Sequence, residues 1–218
     1  MEQTCSQGGN SMKKVSQGFT NAFAPQTLYV YGTYKADGTP NFGLFCWATY
    51  CFDEEHRFVV CLCEDKLTRD RIRETGIFSA SVVSEAMLKG ADWCGNHPGY
   101  DTDKSAAILS HPGKKLNVPI PDGSPWSYEL RVVKTLPLDD HGGAEIYICE
   151  FVNTLVDERL QDESLSFEEK MAIAAPICTA NWQYFKADGP SLGGWGAFKD
   201  NDFDRKENPD EMSALFER

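Results

Sequence analysis

The chain has 218 residues, of which 41% are hydrophobic and 12% aromatic, enough to bury a core and too many for a disordered segment. A formal charge of −12 argues against general nucleic-acid binding and against docking on anionic lipid, both of which need a basic face. There is no apolar run long enough to span a membrane, and the eight cysteines show neither C-x-x-C nor zinc-ligand spacing, so the chain reads as reduced and cytoplasmic.

Residues 1–19 form a polar leader, 20–199 a single domain and 200–218 a charged tail. Thr27 to Tyr34, rich in β-branched and aromatic residues, reads as the first strand. The turn residues Asp37-Gly38-Thr39-Pro40 follow, and then Asn41 to Phe52 as one long strand that is apolar on both faces. Arg57 to Cys63 is a third strand. Asp65 is expected to cap a short helix that Gly76 stops. Ile77 to Val83 is a fourth strand, and Ser84 caps a second helix, Glu85 to Trp93.

A short helix is expected to begin at Asp103, and Gly113 to Pro125 reads as a surface loop. Ser127 to Thr135 and Ala144 to Val156 alternate as two long strands of a hairpin whose turn carries His141. A helical segment near Phe167 to Ile173 follows, and Trp182 to Lys186 is expected to close the sheet. Antiparallel strands, tight hairpins and a few short helices indicate a mainly β fold, a Greek-key barrel, closed or split.

Within this acidic chain, Lys66, Arg69, Arg71 and Arg73 crowd into eight positions. A helix start offers unpaired N–H groups and partial positive charge, and nearby Lys, Thr and Arg add donors, which together suit a phosphate-sized anion. The competing reading is a solvated helix face with local ion pairs.

Four ordered motifs resemble the flavin reductase-like, FMN-binding split-barrel proteins, in particular their flavoredoxin branch. Gly32-Thr33-Tyr34…Asp37-Gly38-Thr39-Pro40-Asn41 is similar to the family's G-T-x…D-G-x-P-N opening, and Cys46-Trp47 to its Ala-Trp. Thr68-Arg69-Asp70-Arg71-Ile72…Phe78 resembles T-x-x-N-I…F, and Ala91-Asp92-Trp93-Cys94-Gly95…Asp101-Thr102-Asp103-Lys104 resembles A-D-Y-x-G…D-x-D-K. Two departures stand out: Asp53-Glu54-Glu55-His56 replaces a frequent D-P-P turn, and Arg71 replaces a frequent Asn. A guanidinium still grips phosphate, so Arg71 is compatible with the site.

The resemblance implies an antiparallel split barrel, non-covalent FMN and a homodimer. It also implies NADH or NADPH as electron donor, with free flavin or a redox protein as acceptor. An electron carrier without its own nicotinamide site is the alternative. FMN needs a dianion receptor, a flat apolar slot and donors at the ring edge. Thr68, Arg71, Lys66, Arg69 and Lys104 are the expected phosphate-side contacts. Phe45, Cys46, Trp47, Ala48 and Thr49 are expected to form the ring slot, with Asn41 contacting the cofactor and His141 near the nicotinamide. No acid–base dyad is evident, and no catalytic residue is assigned.

Overall fold

The computed structural model describes residues 14–52, 54–138 and 143–197. The chain divides into two units, residues 21–190 and a second made of both chain ends, of which 14–20 and 191–197 are described. In the larger unit the elements run β1 (Gln26–Thr27), β2 (Tyr29–Tyr34), β3 (Pro40–Phe45), β4 (Ala48–Cys51), β5 (Arg57–Cys63), α1 (Leu67–Thr75) and β6 (Ile77–Val82). Then follow α2 (Leu88–Asn96), β7 (Ser110–Pro112), β8 (Pro119–Pro121), β9 (Trp126–Pro137), β10 (Ala144–Val156), α3 (Phe167–Ala174), β11 (Ile177–Ala180) and β12 (Gln183–Lys186).

Seven antiparallel strands in the order β3-β2-β6-β9-β10-β5-β4 form the main sheet. Its two edge strands are consecutive in sequence, so the sheet wraps until its edges approach at Cys46-Trp47. This is a split barrel. The long strand expected from Asn41 to Phe52 is therefore two strands on opposite edges. The break comes where Trp47 leaves the β3 ladder and its carbonyl accepts the Cys61 N–H at 2.9 Å.

Strict alternation in β5 sends Phe58, Val60 and Leu62 into the barrel, where they meet Tyr29, Tyr31, Ile72, Phe78 and Leu130. On the other face of β2 and β3, Val30 and Phe42 pack with Met87, Ala91 and Cys94 under α2. β2 is thus buried on both sides, and each large side chain removed from water contributes about 1.5–3 kcal/mol. Both clusters anchor β3, which forms one wall of the site described below.

Several local expectations need correction. Lys66, not Asp65, occupies the cap position of α1, and no side chain caps that helix start. Residues 103–109 do not form a helix, because the Asp103 carboxylate accepts the Ser105 N–H and holds a turn. Within the supposed surface loop, β8 pairs with β7 and buries Val118 and Ile120. The Trp182–Lys186 stretch does not close the barrel: β12 pairs with β11, which pairs with β1 in a separate three-stranded sheet. Gly76, at φ +70°, ends α1 as expected, its N–H bonding the Ile72 carbonyl. Ser84 caps the turn that leads into α2, its hydroxyl accepting the Met87 N–H. No helix among the described residues is long and apolar enough to cross a membrane.

Candidate functional site

The start of α1 opens into a cleft of about 190 Å³ between β3, the segment Cys94–Tyr100 and Lys104. Lys66 is extended (φ −128°) and the first turn of the helix carries no side-chain cap, so its N–H groups face the cleft without a protein acceptor from that position. The Asp65 carboxylate instead accepts from Arg69 Nη2 at 3.2 Å.

Asn41 sits at the floor, fully buried. Its Nδ2 donates to Thr33 Oγ1 at 3.2 Å and to Thr68 Oγ1 at 3.1 Å, while its Oδ1 is buried with no hydrogen-bond partner. An orphaned acceptor of this kind costs about 1–3 kcal/mol unless a ligand or water donates to it. Gly99 passes directly over that oxygen: a Cβ there would lie 2.4 Å from Asn41 Oδ1 and 3.1 Å from Leu67 Cβ. Only a glycine lets the segment approach so closely. Tyr100 then ties the segment to α1 by donating to Asp70 Oδ2 at 2.5 Å.

Lys104 is only 3% exposed. Its Nζ donates to the carbonyls of Phe42 (2.8 Å) and Cys94 (2.7 Å), and no carboxylate among the described residues pairs with it. Burial pushes its pKa below the ordinary lysine value. A desolvated ammonium held only by carbonyl dipoles attracts an anion strongly. Lys66 stands at the rim, half-exposed and bonded to Glu64 at 3.0 Å.

Of the residues singled out from sequence, the fold brings Asn41, Phe45, Lys66, Thr68 and Lys104 together around this cleft. It does not bring the others there. Arg69 is buried but turns away, its Nη1 donating to the Gly143 carbonyl at 3.1 Å. Arg71 lies on another side of the helix, its Nε on the Tyr34 carbonyl at 2.7 Å and its Nη1 on Glu74, above a separate depression shared with Lys35 and Asn117. Cys46 packs against the α2 core cluster, where burial pushes its thiol pKa up. Trp47 is half-exposed, Ala48 packs on the barrel core and Thr49 is exposed. His141 lies outside the described residues. Gly43, His97, Gly99 and Tyr100 were not anticipated as cleft residues, although Asn96-His97-Pro98-Gly99 is visibly a turn.

Residues 22–174 match the family model described as "Flavin reductase like domain". The chain belongs to this family. Its members bind flavin and share the split barrel seen here. Flavoredoxin of Desulfovibrio vulgaris (Miyazaki F) superposes with a TM-score of 0.73 at 27% identity, over 84% of this chain and 97% of that one. Flavoredoxin from Methanosarcina acetivorans gives 0.73 at 20% identity, over 84% and 95%. The FMN-binding protein from Thermus thermophilus gives 0.67 at 19%, over 84% and 99%. A comparison with curated protein sequences finds no match.

The residues of the cleft fit a flavin nucleotide. Its phosphate needs a cation and N–H donors, and the cleft presents Lys104 and the uncapped start of α1. Its ribityl hydroxyls donate, and Asn41 Oδ1 is a buried acceptor lacking a donor. The Thr68 hydroxyl oxygen already accepts from Asn41, which leaves its own proton to donate.

Proposed function

We propose that this cleft binds FMN and that the protein is an NAD(P)H-dependent flavin reductase, passing electrons to free flavin or to a protein acceptor. The observation that carries the reading is Lys104: a buried cation with no carboxylate partner among the described residues, beside an uncapped helix start and an orphaned amide oxygen. Lys104, Lys66, Thr68 and the α1 N–H groups hold the phosphate, and Asn41 Oδ1 accepts a ribityl hydroxyl. The ring lies against Phe45 towards the backbone of Cys46 to Thr49. Phe45 is itself held flat by Tyr31, whose ring stacks on it at 4.6 Å and 13°. Bound FMN supplies the hydride and electron chemistry; the chain orients it, neutralises its phosphate and excludes water.

The visible spectrum of the protein titrated with FMN, followed by NADH or NADPH under anaerobic conditions, tests both steps. Perturbed flavin bands that bleach with a nicotinamide are the expected result, and a protein that does not perturb added FMN overturns the reading. The likeness to a flavoredoxin at 27% identity favours a second reading, an FMN electron carrier. Bands perturbed by binding that persist with both nicotinamides would select it, and the chain's net charge of −12 then suits a basic protein partner in the cytoplasm.

The outer face of β5 and β10 presents Val59, Cys61, Ile146 and Ile148 side by side, each only partly buried, with exposed Leu136 beside them on β9. A second copy of the chain covering this apolar stripe makes the protein a homodimer. Light scattering on a sizing column is expected to return twice the 24.4 kDa chain mass. Replacing Ile146 with Glu should shift the protein to monomer, and a wild-type monomer refutes the assignment.

A further inference from the structure

The barrel core is unusual in its chemistry. Tyr29 and Tyr31 are buried in it, Tyr128 packs partly buried against it, and Tyr50, on edge strand β4, is exposed. Tyr29 and Tyr50 share a hydrogen bond between hydroxyls at 2.7 Å, and Tyr50 and Tyr128 another at 3.2 Å. Rings bridge the same path: Phe58 lies 5.4 Å from both Tyr29 and Tyr50, and Tyr128 lies 6.2 Å from Tyr50 and 6.4 Å from Trp126. At the inner end Tyr29 is 6.4 Å from Tyr31, which stacks on Phe45 in the cleft wall. At the outer end Tyr50 is 53% exposed.

We propose that Tyr29 and Tyr50 form a relay that carries a one-electron oxidising equivalent from the Phe45 wall of the cleft to the surface. A phenol gives up an electron readily only when its proton has somewhere to go. Among the described residues Tyr31 has no hydrogen-bond partner on its hydroxyl, so it serves as a tunnelling bridge and not as a stop. Tyr29 has Tyr50. An oxygen-centred radical in the cleft takes one electron from Tyr29 and a proton from water, and becomes a closed-shell alcohol or water. Tyr29 releases its own proton along the hydroxyl chain to solvent and becomes a phenoxyl. A hydrogen atom then crosses from Tyr50 to Tyr29, which restores Tyr29 and leaves the phenoxyl on Tyr50. A thiol in solution gives its hydrogen atom to exposed Tyr50, and two thiyl radicals couple to a disulfide. Burial holds the phenols of Tyr29, Tyr50 and Tyr128 above the usual range, so each carries its proton at neutral pH. Only the oxidant's arrival in the cleft rests on the flavin reading; the relay is a property of the chain.

Hydrogen-atom exchange between two phenols is nearly thermoneutral, so the relay also runs inwards, and that direction is testable without flavin. Photogenerated tris(bipyridine)ruthenium(III), a bulky one-electron oxidant, reaches Tyr50 but not buried Tyr29. Electron paramagnetic resonance after a flash is expected to show a phenoxyl component that Tyr29→Phe removes. In Tyr50→Phe, where Tyr29 is intact and the ring contacts remain, the same component is expected to fall at least about tenfold, the hydroxyl bridge being gone. Tyr128→Phe, which keeps the Tyr29–Tyr50 bond, should retain it. A wild-type spectrum that Tyr29→Phe does not change, or a Tyr29 component undiminished in Tyr50→Phe, overturns the relay. Neither result bears on whether the cleft takes up FMN.

Discussion

Lys104→Met is expected to lower the affinity for FMN by about 10- to 100-fold, the 1.5–3 kcal/mol of one charge-assisted hydrogen bond. The lysine is already desolvated in the free protein, so the cost of burying the cation is met in folding and its attraction for a phosphate is not spent on water. Its Nζ also joins the Phe42 carbonyl to that of Cys94, and the substitution therefore loosens the cleft wall as well. Riboflavin separates the two effects, since it has the same ring and ribityl chain and no phosphate. Fluorescence titrations should show FMN affinity falling while riboflavin affinity barely moves; equal losses for both would make Lys104 a wall residue and nothing more. Lys66→Ala, at the rim, should give the smaller loss of a half-solvated charge. The pH dependence has a definite sign. The cation binds the phosphate dianion and the neutral amine does not, so FMN affinity is full above the second phosphate pKa of about 6 and is lost as pH rises through the Lys104 pKa. Burial places that loss below the pH at which an exposed lysine would show it.

How much of this was legible beforehand depended on the range of the forces involved. β5 shows strict alternation, because a half-buried strand imposes its period on its own residues; β9 and β10 are legible as β-rich runs, although burial in β9 is not strictly alternate. The split of Asn41–Phe52 is not legible: the run has no proline or charge within it, and the break is set by where Trp47 finds Cys61 on another strand. The same contrast governs the site. Thr68 and Asn41 stood out in motifs and do meet at 3.1 Å. The local cluster of basic residues and its place in the family motif put Arg71 at the phosphate, but in the fold its guanidinium binds the carbonyl of Tyr34 and the carboxylate of Glu74. Neither a local cluster nor a motif weighs the acceptors offered by a neighbouring strand. Gly99 is illegible for a related reason, since its need for a bare Cα comes from the Asn41 amide oxygen beneath it.

Glu129 escaped notice altogether, and its replacement is expected to have the largest effect on stability. It sits on β9 with no exposed surface, and no cation among the described residues pairs with it. Its carboxylate is instead held by the backbone N–H groups of Lys114 (2.8 Å), Lys115 (2.7 Å) and Leu116 (2.5 Å) and by Asn153 Nδ2 at 2.9 Å. Burial alone would raise its pKa, yet these donors, Asn153 foremost, outweigh it and hold the carboxyl below the usual glutamate value. Glu129→Gln turns one acceptor oxygen into a donor facing N–H groups, and should cost about 3 kcal/mol, the penalty for leaving buried donors unsatisfied by a charged partner. Chemical denaturation reads this directly. Because the folded-state pKa is depressed, the anion's contribution is complete above the unfolded glutamate pKa near ~4.3 and is lost as pH falls through the lower folded value. The stability difference between the wild type and the Gln variant should therefore shrink in that acid window, while losses from the other carboxylates are common to both. Gly113→Ala approaches the same cradle from the other side: the added Cβ would lie 2.6 Å from the Leu116 carbonyl and 3.0 Å from Glu129 Oε2. The loop would have to withdraw from the carboxylate, so the two variants together should destabilise by less than the sum of each alone.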